Sequence, residues 1–376
     1  MALMREPLIS LDEALAMLAE AILAPFQGAI RADRDDPALD RSTMDGAALR
    51  SEDGLASRRV LGTLFAGDDP AGWRVEPDTC MRIMTGAVLP TGANAVVPVE
   101  RLREVDDCLI PESAPKAGEF IRRRGSQARS GDLLVPEGVP VNATRVGLRA
   151  QIGEPLRPFQ RIQVGIAPTG DELVRDPKPH QIRDSNGPML ATLAHALGAE
   201  VRILPAIPDD PAAIRRFLQD LGPSQVLLTA GGVSMGERDF LPQVLEQLGA
   251  RVLFHRIRLK PGKPMLAALL DGHVILCLPG NPVSAYLNTL LFLPVVLARL
   301  EGRALPTPWR TGRLTIQVSN PGDRPLLHPC KRHNNELEPL SSRGSADLVR
   351  LAQADACAWI PEGGMGVGET RYLDLL

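Results

Sequence analysis

Residues 225–240 read QVLLTAGGVSMGERDF. An apolar run, Val226–Ala230, empties into Gly231 and Gly232, then Ser234, then Glu237 and Asp239. A run this short and this apolar reads as a strand covered on both faces, the pattern of a parallel sheet. In an open parallel sheet the loops leaving the carboxyl ends of the strands gather on one edge, where ligands bind. A glycine loop with carboxylates at that place asks what it holds.

The flanking sequence supports the parallel reading. From about 161 to 301, strands alternate with helices. RIQVGIA, EVRILPA, QVLLTA and HVILCLP read as strands. NGPMLATLAHALG reads as a helix with Pro188 near its start and Gly198 past its end. DPAAIRRFLQDLG takes Asp210 as N-cap, Pro211 in the first turn and Gly222 as terminator. DFLPQVLEQLG and NPVSAYLNTLLFLPVVLARLEG follow, the second with Asn281 as N-cap and Pro282 at the first helical position. This alternation predicts a three-layer α/β domain with a mostly parallel sheet.

Outside it the character changes. SLDEALAMLAEAIL predicts a helix opened by a capping box, Ser10 with Glu13. Glycine and proline recur through 51–160, between short candidate strands such as RVLGTLF, AVVPVE and DLLVP. The last 75 or so residues return to β character with GRLTIQV and ACAWIP, plus one short helix, ADLVRLAQA. The expected fold is multi-domain: a β-rich inserted N-terminal domain, the central α/β domain and a C-terminal β-barrel-like domain.

The chain has 376 residues, too many for one ordinary core. Its hydrophobic content, 44%, is that of a folded protein, and its net charge of −3 argues against a general nucleic-acid or membrane binder. The five cysteines are scattered without a C-x-x-C pair, which fits a reducing, cytoplasmic setting. MALMREPLIS lacks the apolar core of a secretion signal, and no run approaches the roughly 20 apolar residues of a membrane span. Asn288 and Pro294 interrupt the longest apolar stretch, which reads as a buried helix. Only five lysines occur, so Lys260 and Lys263 in RLKPGKP stand out.

Three loops on the expected edge carry unusual chemistry: APTGDEL, AGGVSMGERD and LPGNPVSA. Glycine lets a ligand approach the main chain, and free N–H groups in such loops and at helix starts cradle anions. Gly231, Gly232 and the amides around Ser234 form one candidate phosphate seat; the amides of Asn281 to Ser284 form a second. Asp171, Glu172 and Asp239 beside them would repel phosphate unless a hard cation such as Mg²⁺ bridges. Lys260 and Lys263 suit a polyanion. Taken singly, each loop reads equally as a tight turn or a helix cap; their convergence carries the functional reading. His328, Cys330 and His333 in HPCKRH could suggest a metal, but a β-hairpin surface explains them better. His255 reads as a strand residue, Cys277 as core, and IRRRGSQAR as a solvated basic face that could also guide an anion.

TGDEL, DSN at 184–186, GGVSMGERD, KPGKP and LPGNPVSA occur in the order found in the molybdopterin molybdenumtransferase family, the MoeA and gephyrin E-domain type. RSTMDGAAL (41–49) is similar to that family's R-S-x-M-D-G motif, and RIMTGAVLPTGANAVVPVE (82–100) to its threonine-glycine segment. The resemblance runs over essentially the whole chain. It implies four parts: 1–40 with 122–160, 41–121, 161–301 and 302–376. It implies insertion of molybdate into adenylylated molybdopterin with Mg²⁺ and release of AMP. It also implies a homodimer whose cleft takes residues from both subunits, and contact with other cofactor-biosynthesis proteins.

By matching position the resemblance places Glu172, Asp184, Asp209, Asp239, Gly231, Gly232, Ser234, Pro279 and Pro282 in the cleft. Asp45 and Thr85 would enter from the partner, and Lys260, Lys263 and Ser284 would face molybdate. Arg324 and Ser345 match more loosely. Glu172 and Asp239 are the implied metal ligands, and Asp45, Thr85, Glu172, Asp209, Asp239 and Lys260 the implied catalytic set. The chain departs from the pattern at Gln127, where an acid is expected, at Ala47, where an aromatic is expected, at Arg256 for a lysine, and at Arg238. Two other readings stay open: a pterin-binding scaffold without turnover, and a molybdopterin adenylyltransferase, whose likeness would cover 161–301 alone.

Overall fold

In the computed structural model the described residues are 8–25, 28–154, 161–233 and 239–376. They fall into two compact units, Met1–Phe26 with Pro158–Leu376, and Gln27–Arg157.

The larger unit is built on a six-stranded sheet. Its order is Glu200–Ile203, Gln163–Pro168, Val226–Ala230, His273–Leu278, Leu266–Leu270, Arg251–His255. The first four run parallel. Leu266–Leu270 is antiparallel to both of its neighbours, so Arg251–His255 points the same way as the parallel four. The carboxyl ends of five strands thus share one rim. All five residues of Val226–Ala230 are buried, as strands covered on both faces must be.

Local chemistry starts the helices where the sequence predicts. Ser10 Oγ accepts from Glu13 N–H at 3.1 Å while the Glu13 carboxylate accepts from Ser10 N–H at 2.8 Å, opening Leu11–Ala21. Asp210 accepts from Ala213 N–H at 2.7 Å and opens Pro211–Gln219. Helices Leu11–Ala21, Asn186–Ala196 and Pro282–Leu300 contribute to the core on one face of the sheet. Pro211–Gln219 and Leu241–Gln247 cover the other. Pro282–Leu300 is apolar and long enough to cross a membrane, but most of it is buried inside the fold, with Phe292 against Phe254 at 5.6 Å between centroids. Pro294 sits inside this helix without ending it. Cys277 is core, and burial pushes its thiol up to about 12.

A closed five-stranded barrel, in the order Trp309–Leu314, Glu336–Pro339, Leu326–His333, Ala356–Ile360, Gly368–Asp374, completes the larger unit. Arg371 lies over both Trp309 and Trp359, its guanidinium carbon 4.3 and 4.0 Å from the ring centroids. His328, Cys330 and His333 lie along one barrel strand, and no metal-binding group of three or more His, Cys, Asp or Glu side chains occurs among the described residues.

The smaller unit carries a second six-stranded sheet, in the order Ala95–Pro98, Gly46–Leu49, Thr79–Ile83, Arg58–Leu64, Cys108–Pro111, Leu102–Val105. Two short ribbons join it: Ile30–Arg31 with Leu133–Val135, and Arg41–Ser42 with Ile121–Arg122. Arg58 is fully buried, and its guanidinium donates to the carbonyls of Ala56 at 2.6 Å and Gly54 at 2.8 Å. That arginine closes the 50–57 turn, since a buried guanidinium is tolerated only when it finds acceptors.

Candidate functional site

A cavity of about 890 Å³ opens at the carboxyl rim of the central sheet. Loops from separate strands build it. The first, after Gln163–Pro168, supplies Thr169, Gly170 and Glu172; the next, after Glu200–Ile203, supplies Asp209. Gly231, Gly232 and Val233 follow Val226–Ala230, and Pro279 to Pro282 follow His273–Leu278. Asp184, Asn186, Asp239 and Pro264 complete the part read from sequence. The glycine loop of 225–240 therefore ends its strand at a real concavity, of a size usual for small-molecule sites.

Hydrogen bonds lock these loops to one another. Asp171 N–H donates to Asp209 Oδ2 at 3.4 Å, and Asp209 N–H donates to Asp171 Oδ1 at 3.2 Å. Asn186 Nδ2 donates to the Gly280 carbonyl at 2.8 Å. Asp184 accepts from Gly187 N–H at 2.9 Å at the start of a helix. Glycine is obligatory where the main chain approaches a side chain: Gly231 has φ +111°, and a Cβ there would lie 2.4 Å from Thr169 Oγ1. A Cβ on Gly170 would lie 2.5 Å from Glu172 Oε2, so the Glu172 carboxylate folds back over its own loop.

The amides are fewer than the sequence suggests. Gly231 N–H donates to Leu278 C=O at 3.0 Å, extending the sheet, and is engaged. Val283 N–H donates to the Ser345 carbonyl at 3.2 Å, so part of the seat expected at Asn281 to Ser284 is taken by the chain itself. Asn281 holds the N-cap position, but its side chain donates to Ser345 Oγ at 2.9 Å instead of capping the helix. Gly232 N–H has no acceptor among the described residues.

Electrostatics mark the Asp209 side of the cavity as acidic, while Arg183 also lines it. Burial pushes the Asp209 carboxyl above its usual value, and the charges of Asp171, Glu172 and Asp239 add to this. Carboxylates that repel one another across a cavity are matched by a cation or by a cationic ligand.

The lysines stand apart from the acids. Neither Lys260 nor Lys263 lines the cavity; their loop reaches it through Pro264. Lys260 N–H donates to Pro325 C=O at 2.9 Å, and Leu327 N–H donates to Lys260 C=O at 2.8 Å, which seats the loop on the barrel. Arg324 Nη1 donates to Leu259 C=O at 3.3 Å, so Arg324 joins the same shelf. The Arg324 side chain and, less strongly, the Lys263 charge hold the Asp323 carboxyl below its usual value. Ser284 is buried in the first turn of the long helix. Ser345 sits at the cavity edge beside Asn281, and its neighbour Ala346 is a lining residue. Ser234 and Arg238 lie outside the described residues.

Asp45 and Thr85 belong to the smaller unit, where the fold brings them together. Thr85 donates to Asp45 Oδ1 twice, from its N–H at 2.6 Å and from its hydroxyl at 2.7 Å. These bonds hold the Asp45 carboxyl below its usual value. In the basic run, Arg123 pairs with Asp40 at 2.7 Å and Arg124 with Asp35 at 2.6 Å, so two of its guanidinium groups are already matched. Ala47 is buried in its strand, and Gln127 N–H donates to Asp36 C=O at 2.9 Å.

Sequence reading missed the Asn186–Gly280 tie, the Asp171–Asp209 exchange and the part of Thr169 in shaping the glycine turn. The first two depend on pairs 94 and 38 residues apart, which no local pattern exposes.

Residues 5–153 match the MoeA N-terminal region (domain I and II), and residues 165–298 match the probable molybdopterin binding domain. The molybdopterin molybdenumtransferase of Synechococcus elongatus is 35% identical over 325 residues, covering 82% of this chain and 78% of that protein. That of Haemophilus influenzae is 34% identical over 304 residues, covering 78% and 73%. The crystal structure of the molybdopterin biosynthesis MoeA protein from Pyrococcus horikoshii superposes with a TM-score of 0.73 at 26% identity, over 98% of this chain and 99% of that one. With both halves of the chain and its full-length architecture matched, the chain belongs to the molybdopterin molybdenumtransferase family, transferases of molybdenum cofactor biosynthesis.

Proposed function

We propose that this chain inserts molybdate into adenylylated molybdopterin and releases AMP, in a Mg²⁺-dependent reaction. The observation that carries the reading is the rim cavity, where Glu172, Asp209 and Asp239 meet glycine and proline turns from separate strands. The names of the relatives support the substrate class.

Mg²⁺ fits this donor set. It commonly takes one or two protein carboxylates and completes its shell with phosphate and water oxygens. Among the described residues no three acidic, His or Cys side chains close around one point, while the Asp209 carboxyl registers the charge of its three acidic neighbours. Glu172 and Asp239 would hold the ion. When bound, the ion supplies charge neutralisation at the phosphoanhydride.

The chain's own residues do the remainder. Gly232 offers its N–H to a phosphate oxygen, and Asp184 and Asn186 fix the wall on which the pterin lies. Lys260, Lys263 and Arg324 supply positive charge for a tetrahedral dianion beside the cavity. Positioning and charge neutralisation lower the barrier, with no covalent enzyme intermediate. Asp45 and Thr85 act at the cleft from a second subunit of a homodimer in the cytoplasm. The four-part division of the chain belongs to the same reading.

Purified chain incubated with adenylylated molybdopterin, molybdate and Mg²⁺ is expected to release AMP, with Lys260→Ala abolishing the molybdate dependence. AMP release that ignores molybdate, or pterin binding without turnover, would overturn the reading.

A further inference from the structure

The tip of the lysine loop is held from an unexpected place. Asn288 lies in the long helix Pro282–Leu300 and is fully buried among apolar neighbours. A buried amide in such surroundings is costly unless it is bonded. Its Nδ2 donates to the Gly262 carbonyl at 3.1 Å, a partner 26 residues away on the rim loop. Gly262 has φ +122°, and a Cβ there would lie 2.6 Å from Asn288 Oδ1. Glycine at 262 and asparagine at 288 are thus two halves of one contact.

The contact fixes more than Gly262. In a planar trans peptide the C=O and the following N–H point in opposite directions. With the Gly262 carbonyl turned to Asn288, the Lys263 N–H of the same peptide is turned away from the helix. The Lys263 carbonyl is held as well, accepting from Ile257 N–H at 2.9 Å. Lys263 is therefore clamped on both sides of its Cα. Its N–H has no acceptor among the described residues, and the next residue, Pro264, lines the cavity. Lys263 is half-buried, and an N–H held rigid in a loop that carries two lysines is a donor set in advance for an oxyanion.

We infer that Asn288 is a positioning residue that orients the Gly262–Lys263 peptide so that the Lys263 main-chain N–H, together with its side chain, binds the tetrahedral oxyanion. The inference rests on the reading that this loop receives molybdate.

With five lysines in the chain, isotope-labelled lysine yields few amide signals, and loss of one in Lys263→Arg assigns it. Titrating the full chain with sodium molybdate is expected to move the Lys263 amide signal. In Asn288→Leu, which keeps the volume and removes the donor, the shift should vanish and molybdate affinity by calorimetry should fall roughly five- to tenfold, the loss of one hydrogen bond to an ion. Gly262→Ala breaks the same contact from the loop side and should act in the same direction if Asn288→Leu fails to fold. In the AMP-release assay either variant should raise the KM for molybdate and leave the KM for the pterin substrate unchanged. A Lys263 amide that does not respond to molybdate in the parent chain, or unchanged molybdate affinity in a folded variant, overturns the inference. Absence of AMP release from a parent chain whose Lys263 amide does respond would overturn the proposed reaction instead and leave this inference standing.

Discussion

Asp45 and Asp209 are the same residue type in opposite electrical situations. In the smaller unit Asp45 receives two hydrogen bonds from Thr85, and its carboxyl is held low. In the larger unit Asp209 is partly buried among Asp171, Glu172 and Asp239, and its carboxyl is held high. One acid is stabilised by the donors around it; the other accepts from Asp171 N–H but is crowded by acidic neighbours. On the proposed function, the contrast separates a carboxylate positioned as a tool from carboxylates arranged as a receptor.

The corner at Asp45 depends on a close approach. A Cβ on Gly46 would sit 1.9 Å from the Val97 carbonyl oxygen, because the Gly46–Leu49 and Ala95–Pro98 strands meet there. Gly46→Val should destabilise the smaller unit by about 3 kcal/mol or more, the cost of forcing volume against backbone. A thermal melt of the full chain indistinguishable from the parent would show that Asp45 is not rigidly seated and would remove one side of the comparison.

The next largest effect belongs to the receptor side. Glu172→Gln keeps the shape and removes a charge from the cavity, so AMP release should fall about 10²-fold. Excess Mg²⁺ should recover part of the loss. If turnover is unchanged, the cavity acids are not what the reaction needs.

A smaller effect tests the tool. Thr85→Val retains the N–H bond to Asp45 and deletes the hydroxyl bond. Activity should fall roughly fivefold, the loss of one hydrogen bond to a carboxylate, and the Asp45 carboxyl should move up toward its ordinary value. NMR titration of Asp45 reads this directly; an unmoved carboxyl would mean that the hydroxyl does not hold it.

The smallest effect is a gain. A carboxyl raised above its unfolded value of 3.8 costs stability as pH rises through the interval between its unfolded and folded values, and the cost is complete above it. At neutral pH, Asp209→Asn should therefore raise the melting temperature slightly, about 1–3 °C, and should reduce the stabilisation produced by added Mg²⁺. A fall in melting temperature at neutral pH would show that Asp209 is satisfied by its hydrogen bonds and would erase the contrast with Asp45.

Much of this was legible before any coordinates. Ser10 with Glu13 and Asp210 with Ala213 start helices through contacts three residues apart, so a one-dimensional pattern contains them. The Val226–Ala230 run announces a strand covered on both faces, and the glycines after it announce a turn. The reversed strand Leu266–Leu270 was harder, because nothing local distinguishes its direction from that of the five strands that run together.

By itself the sequence determined the alternation of elements, the class of the central sheet and which loops carry acids, glycines and lysines, since each is set by neighbours a few residues apart. Only the tertiary structure decided which amides remain free, that the acids share a cavity while Lys260, Lys263 and Arg324 share a shelf beside it, and that Asn288 reaches Gly262. Those facts are pairings across long stretches of chain. A hydrogen bond satisfied at a distance leaves no periodicity behind, and only packing determines which donor meets which acceptor.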